Sequence, residues 1–255
     1  MDGIEQESAT RDTPHYFIGT SGWTYDHWKG RFYPHDLPKK RWFDFYTSQF
    51  STVEVNATFY RTFKDDTFRN WKERSPQGFS YILKAPRLIT HRKYLVDVEA
   101  DIRSFYRSCA LLEEKFELIL LQVAPNMHVD LEVLQKALRA FPDPGKVAVE
   151  FRHPGWLNRG TLSLLTSVGA TICNADSPQH KLTDCLTSDR AYLRLHGRHR
   201  WYASNYSDDE LHEIADLAHD LANRGAKRIY IFFNNDYEGY ATANARTLQR
   251  LLDAA

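Results

Sequence analysis

The chain has 255 residues with 33 basic and 33 acidic side chains, so its formal net charge at pH 7 is zero. That balance excludes a global electrostatic field that would draw the protein to nucleic acid or to an anionic membrane. The three cysteines, Cys109, Cys173 and Cys185, are odd in number and widely spaced, which argues against a disulfide framework or a structural zinc site and favours a reducing cytoplasm.

The first segment, residues 1–14, is polar and acidic, and we expect it to be a frayed tail. It lacks the basic-then-apolar order of a signal peptide, and no apolar run in the chain is long enough to span a bilayer. The sequence therefore predicts a cytoplasmic protein that has no membrane partner.

Strand-length runs rich in β-branched and aromatic residues recur eight times along the chain. They lie at residues 15–20, 52–56, 79–84, 117–122, 146–151, 170–175, 191–196 and 228–234. Helical patterns fill most of the gaps, at residues 39–50, 65–74, 98–115, 129–141, 159–168, 207–224 and 241–254. Only the gap after the sixth strand is too short for a full helix.

Glycines mark tight returns just before four of the strands, at Gly78, Gly145, Gly169 and Gly225. The connections that follow the strands are longer and richer in polar and aromatic residues. This alternation is typical of an α/β protein with a single (β/α)₈ TIM-like barrel, here spanning residues 15–255 with a short or irregular sixth βα unit.

Strand side chains alternate between the two faces, and we assign one set of alternating positions to the barrel interior. At the end of almost every predicted strand, the residues in that set are polar. They are Glu54, Asn56, Lys84, Gln122, Glu150, Arg152, Asn174, Asp176, Arg194, His196 and Asn234. These groups either neutralise one another as a scaffold or line a ligand or catalytic site. The second reading is favoured, because buried ion pairs stabilise less than apolar packing and barrels keep their active sites at this end.

Aromatic residues are frequent in the loops at the same end, among them Trp23, Tyr60 and Trp201. Their rings either pack on one another or form walls for a sugar or a nucleobase. Asn235 leads into the last helix, where backbone amides could hold a phosphate or carboxylate; a solvated charge cluster is the alternative.

Several chemistries do not fit the strand ends. A retaining glycosidase would carry carboxylates where this chain has Gln122 and His196, and no serine elbow is present. A Schiff-base role for Lys84 is possible, although an ion pair with Glu54 is the simpler expectation. No organic cofactor motif occurs, and the basic residues disfavour a divalent metal, although carboxylates and His196 are ligand types that one would use.

Seven stretches together resemble the YecE-like family, the domain of unknown function 72. They are "IGTSGWTYDHWKGRFYP", "TVEVNATFYR", "FSYILKAPRLITH", "VEFRHPGW", "NADS", "YLRLHGR" and "FFNND", in the order typical of that family. The resemblance implies a TIM-like barrel with no established reaction, likened to endonuclease IV and to xylose-isomerase-type barrels, hence a phosphodiester or sugar substrate. Ala57, "QVAP" at residues 122–125 and Asp236 depart from the family pattern.

We interpret the chain as a hydrolase or acid/base enzyme for a polar, anionic substrate containing phosphate or sugar. The alternative is a non-catalytic barrel that binds nucleic acid. Glu54 and Glu150 are the acid/base candidates, with His196 as proton shuttle. The substrate-binding candidates are Trp23, Asn56, Tyr60, Lys84, Arg152, Asp176, Arg194, Asn234 and Asn235.

Overall fold

Eight parallel strands form one sheet within residues 13–254, the part of the chain that the computed structural model describes. The strands are β1 (His15–Thr20), β2 (Thr52–Val55), β3 (Ser80–Lys84), β4 (Phe116–Gln122), β5 (Val147–Glu150), β6 (Thr171–Asp176), β7 (Arg190–Leu195) and β8 (Arg228–Phe233). Their order in the sheet is β1-β8-β7-β6-β5-β4-β3-β2, so β1 and β2 are its two edge strands. These edges meet at the bridge between Ser21 and Glu54, and the barrel is nearly closed. The predicted (β/α)₈ fold is confirmed; the predicted tail lies outside the described residues except for Thr13 and Pro14.

Helices surround the sheet and follow the predicted pattern. They are α1 (Trp42–Thr47), α2 (Ala57–Tyr60), α3 (Asp65–Arg74), α4 (Glu99–Cys109), α5 (Leu131–Ala140), α6 (Arg159–Val168), α7 (Asp208–Asn223) and α8 (Tyr240–Asp253). Ser207 and Glu210 form the capping box at the start of α7, and Gly169 ends α6 in the left-handed conformation. The single-turn helix α2 was not predicted.

The sixth βα unit is irregular, as predicted, because residues 177–189 contain no helix. In residues 13–254, no helix is both long enough and apolar enough to cross a membrane.

Two layers of side chains result from the alternation of strand residues. The apolar plug of the barrel interior comprises Phe17, Ile82, Leu118, Leu120, Ala148, Cys173, Tyr192, Tyr230 and Phe232. Residues of the opposite parity, such as Val53, Ile119 and Ile231, pack in the larger outer core. The interior is therefore filled, and any site must lie above the plug at the carboxyl ends of the strands.

The seam between β1 and β2 closes without a regular ladder. Within the described chain, one backbone bridge, Ser21 to Glu54, joins the two strands. The hydroxyl of Tyr46 lies between them, accepting from the Thr20 amide at 3.0 Å and donating to the Thr52 carbonyl at 3.0 Å. A side chain from α1 thus satisfies the backbone groups that the missing ladder leaves unpaired.

Tyr46→Phe should lower the free energy of unfolding by about 2 kcal/mol, because a buried amide and a buried carbonyl lose their partner. Chemical denaturation followed by circular dichroism measures the change. Tyr16→Phe is the control, because the hydroxyl of the half-buried Tyr16 is hydrogen-bonded to the His219 side chain and to no backbone group of the described residues, so its loss should change stability little. Equal losses in both variants would contradict a special role of Tyr46 at the seam.

Candidate functional site

A ring of polar side chains lies directly above the apolar plug, at the carboxyl end of the barrel. We call it the polar ring, and it comprises Glu54, Lys84, Gln122, Glu150, Arg152, Arg194 and His196. All are almost fully shielded from solvent except Arg152, whose side chain is 12% exposed. Because each comes from the end of a strand, the barrel itself fixes their positions.

Arg194 of β7 connects the two carboxylates of the ring. Its Nε lies 3.0 and 2.9 Å from the two oxygens of Glu54, and its Nη2 donates to Glu54 Oε1 at 2.7 Å. Its Nη1 donates to Glu150 Oε2 at 2.8 Å, and Nη2 also reaches Asn56 Oδ1 at 3.3 Å. Every nitrogen of this guanidinium is engaged, so Arg194 has no free donor pair for a substrate anion.

Glu54 is saturated by further donors. The Ser21 hydroxyl donates to its Oε1 at 2.6 Å and the Tyr192 hydroxyl to its Oε2 at 2.7 Å. Burial by itself would raise the pKa of this carboxyl, but Arg194 and the two hydroxyls outweigh burial and lower the pKa below its ordinary value. Glu54 is therefore ionised throughout the physiological range.

Glu150 is held in the same way from the other side of the barrel. Its Oε1 accepts a hydrogen bond from Gln122 Nε2 at 3.0 Å and forms an ion pair with Arg152 Nε at 2.5 Å. Burial opposes ionisation, yet Arg152 and Arg194 hold the pKa of Glu150 well below its usual range. Both carboxylates thus act as fixed counter-charges and are poorly suited to donate a proton at neutral pH.

The buried His196 ring lies between the side chains of Arg152 and Asn234, close to Glu150. Its Nε2 lies 3.0 Å from Arg152 Nη2 and 3.6 Å from Glu150, and its Nδ1 lies 3.0 Å from the side-chain amide of Asn234. Burial lowers the pKa of His196 to about 4 against the attraction of Glu150, and Arg194 adds to the decrease. The imidazole is neutral at pH 7 and orients Arg152.

Lys84, the last residue of β3, has no polar partner. Its ammonium lies 4.2 Å from the centroid of the Phe59 ring, and among the described residues it makes no hydrogen bond and no ion pair. The predicted ion pair between Lys84 and Glu54 is wrong, because Arg194 occupies that carboxylate. Burial, and next the positive charge of Arg194, lower the pKa of Lys84 to about 7.

Lys115 shows what a structural buried lysine looks like in the same protein. Lys84 and Lys115 are equally shielded, each with 7% of its surface exposed. The ammonium of Lys115 donates to the carbonyls of Lys72 and Ser75 at 2.6 Å each and to the Ser75 hydroxyl at 2.9 Å. Lys84 makes no such bond with any described residue, so no hydrogen bond of the scaffold requires an amine at this position.

The prediction that Asn174 and Asp176 face the barrel interior is wrong. Cys173 belongs to the apolar plug, so its neighbours point outward. Asn174 binds the backbone of Cys185, and Asp176 accepts from Arg198 Nε at 2.9 Å. Their outward-facing polar groups are tolerated because residues 177–189 contain no helix that would cover them with apolar side chains, and Asn174 anchors this irregular segment.

Two predicted substrate-binding residues, Trp23 and Tyr60, lie outside the polar ring. The Trp23 ring packs on Phe43 and Trp71, with centroid distances of 5.2 and 6.0 Å, in the outer core. Tyr60 is 75% exposed and meets Phe59 edge-on at the rim of the barrel.

Asn235 also lies outside the polar ring. Its side-chain amide donates to the Ser204 carbonyl and to Asn244 Oδ1, both at 2.9 Å, so it connects the loop after β7 to α8. Asn56 and Asn234, in contrast, contact ring members directly.

Sequence reasoning missed three neighbours of the ring. Ser21 and Tyr192 complete the shell of Glu54, and both lie on interior parity: Tyr192 comes two residues before Arg194, and Ser21 two after Gly19. Phe59 lies under Lys84 but belongs to the unpredicted helix α2, so no periodic pattern points to it.

Within the described residues, no three His, Cys, Asp or Glu side chains are grouped so that they could hold a metal ion. The ring's own carboxylates are each directed at arginine.

The family model described as "Protein of unknown function DUF72" matches residues 17–255 of the chain. The UPF0759 protein YunF of Bacillus subtilis is 24% identical over 270 residues, covering 93% of this chain and 94% of YunF. The UPF0759 protein YecE of Escherichia coli is 26% identical over 116 residues, which are 45% of this chain and 43% of YecE.

Solved structures show the same fold. A DUF72 family protein from Thermotoga maritima superposes with a TM-score of 0.86 at 29% identity, covering 94% of this chain and 99% of that protein. A DUF72 family protein from Enterococcus faecalis superposes with a TM-score of 0.80 at 19% identity, covering 94% of this chain and 96% of that one.

Lys84→Met should raise the free energy of unfolding by about 2 kcal/mol at pH 7, because an unpaired buried amine is replaced by an apolar side chain of similar length. Between pH 7 and the ordinary lysine pKa of about 10.4, the unfolded state binds more protons than the folded state, so wild-type stability rises with pH. The advantage of Lys84→Met should therefore shrink across that range in urea titrations.

Lys115→Met is the matched control for this lysine, and it should lose about 1–3 kcal/mol because the acceptors at Lys72 and Ser75 lose their donor. Destabilisation of similar size in both lysine variants would contradict the difference that we infer between them.

Arg194→Met should destabilise the fold by about 3–5 kcal/mol at pH 7, because Glu54 and Glu150 are left as buried charges without their shared partner. Without Arg194 the two carboxyl pKa values should rise, so the deficit relative to wild type should shrink as the pH falls below about 6. Arg228→Met, which breaks the partly exposed pair with Glu117, should cost much less in the same denaturation experiments.

Proposed function

The chain belongs to the DUF72 family of proteins of unknown function, and we propose that it is an enzyme that acts on a small anionic substrate by hydrolytic or acid/base chemistry. The observation that carries this proposal is Lys84, a largely desolvated amine at the carboxyl end of the barrel that makes no hydrogen bond or ion pair with another described residue. A desolvated amine that satisfies no other protein group is most simply explained by a role in binding or reaction.

The charge of the polar ring favours an anionic ligand. Glu54 and Glu150 balance the two guanidinium groups of Arg152 and Arg194, so a protonated Lys84 is the surplus positive charge. Arg152 is the least buried cation of the ring, and its guanidinium lies 4.8 Å from the Trp201 ring centroid. A phosphate or carboxylate group between Lys84 and Arg152 would complete the balance.

Lys84 is also the group best suited to transfer a proton. Efficient general acid/base groups have pKa values near the working pH, and Lys84, with a pKa of about 7, populates both forms there. Glu54, Glu150 and His196 stay in one protonation state at pH 7. In this scheme they position the arginines, while Asn56 and Asn234 orient the substrate.

A second candidate function, binding of nucleic acid without catalysis, has one observation in its favour. Tyr60, Tyr202 and Tyr237 are 75%, 44% and 50% exposed and lie on the connections after β2, β7 and β8, at the same end of the barrel. Exposed rings beside basic side chains are suited to stack on unpaired bases. For either function, the three unpaired cysteines support a reducing cytoplasm as the working compartment.

Calorimetric titration with ribose 5-phosphate, with uncharged ribose and with a short single-stranded oligothymidine tests both functions. We expect ribose 5-phosphate to bind and ribose to bind at least about tenfold more weakly, because the ring recognises the anion. Lys84→Met and Arg152→Gln should each weaken the phosphate compound by about tenfold, whereas Arg228→Gln, at the other end of the barrel, should not.

Equal binding by the two ring variants and wild type would contradict the proposed site. Preferential binding of the oligothymidine with a steep salt dependence, lost on Tyr60→Ala, would instead favour the nucleic-acid function.

A further inference from the structure

We propose that Lys84 is a nucleophile that forms an imine with an aldehyde or ketone substrate carrying a carboxylate or phosphate group. This inference deepens the proposed function and rests on it, because it names the class of substrate that the same site would take. It requires a free amine, a fixed position for that amine, and an environment that tolerates the charged imine.

The amine of Lys84 is available because nothing in the described structure binds it. Lys115, at the other end of the barrel, has its three donors committed to the Lys72 and Ser75 carbonyls and the Ser75 hydroxyl, so its nitrogen is not free to approach a substrate. Lys84 is desolvated, faces an aromatic ring and feels the charges of Arg194 and Arg152. These are the conditions that activate an amine as a nucleophile.

The surroundings hold the amine in one place. Lys84 ends a buried strand, and the Thr58 hydroxyl donates to its carbonyl at 2.7 Å, which ties α2 to β3. Phe59 of α2 lies under the amine, and His91 packs edge-on against the same ring with centroids 5.0 Å apart. A nucleophile on a rigid element between fixed rings meets its substrate in a defined geometry.

The reaction is balanced without a further reagent. The nitrogen lone pair attacks the carbonyl carbon and a carbon–nitrogen bond forms, while the carbonyl oxygen gains a proton to give a carbinolamine. The carbon–oxygen bond then breaks, and the two amine hydrogens leave with the oxygen as water, which produces the neutral imine.

Protonation of the nitrogen converts the imine into a cation near two fixed anions. Burial and Arg194 disfavour a positive charge at the position of the Lys84 nitrogen, and Glu150 and Glu54 offset part of that cost. The face of the Phe59 ring, whose centroid lies 4.2 Å from the nitrogen, would attract the protonated imine, the electron-withdrawing form that activates neighbouring bonds. The partly exposed Arg152 would hold the anionic group of the same substrate.

Reductive trapping tests this inference on the unaltered protein. The full chain is incubated at neutral pH with glyoxylate, an anionic aldehyde, and sodium cyanoborohydride, which reduces an imine to a stable carboxymethyl-lysine. Peptide mapping by mass spectrometry then gives the rate at each lysine. Lys84 should react roughly tenfold faster than exposed lysines such as Lys64 and Lys181, because more of its amine is uncharged.

The uncharged aldehyde glycolaldehyde is the matched probe, and it should label Lys84 with a clearly smaller advantage. Equal preference for Lys84 with both aldehydes would overturn the anionic part of the inference, and labelling of Lys84 no faster than Lys64 would overturn the imine. If ribose 5-phosphate binds in calorimetry but glyoxylate does not single out Lys84, the imine inference fails and the proposed function stands. If neither occurs, both fail.

Discussion

The contact on which the site depends is the bridge from Arg194 to Glu54 and Glu150. Two carboxylates buried above an apolar plug need one cation that reaches both, and the forked guanidinium donates to each along separate directions. The bridge joins β2, β5 and β7 across the barrel, which are not neighbours in the sheet. Such a bridge adds little net stability over apolar filling, but it fixes how these strand ends sit relative to one another.

The bridge also determines the state of its neighbours. Glu54 and Glu150 form ion pairs with arginine and not with Lys84. The lysine amine therefore lies beside cations and an aromatic ring. His196 lies between Arg152 and Asn234 in the same buried ring. Burial is the main cause of the lowered pKa values of both Lys84 and His196, and the positive charge of Arg194 lowers both further.

Much of the fold was predictable because barrel strands and helices have different hydrophobic periods. The strand pattern also identified the ring members Glu54, Lys84 and Arg194, since alternation tells which face a residue occupies. It does not tell which charges pair across the barrel, so Lys84 was assigned the partner that Arg194 takes. Alternation also holds in β6, but the wrong parity was assigned to the interior for Asp176, because the missing sixth helix leaves an outer face that polar side chains can occupy.

The role of the Tyr46 hydroxyl at the β1–β2 seam could not be predicted from the sequence either, because a side chain that replaces backbone hydrogen bonds between strands leaves no periodic pattern.

The two buried lysines, Lys84 and Lys115, differ in whether the fold alone explains them. A reading of the polar ring as mere filling accounts well for Glu54, Glu150 and the arginines, since each is satisfied by another ring member. It accounts for Lys115 too, which binds backbone carbonyls at the amino-terminal end of β4. It does not account for Lys84, whose side chain is as shielded as that of Lys115 and whose ammonium bonds no acceptor among the described residues. An apolar residue there would fill the same space at lower free energy, so the amine is the one part of the ring that needs an explanation outside the fold.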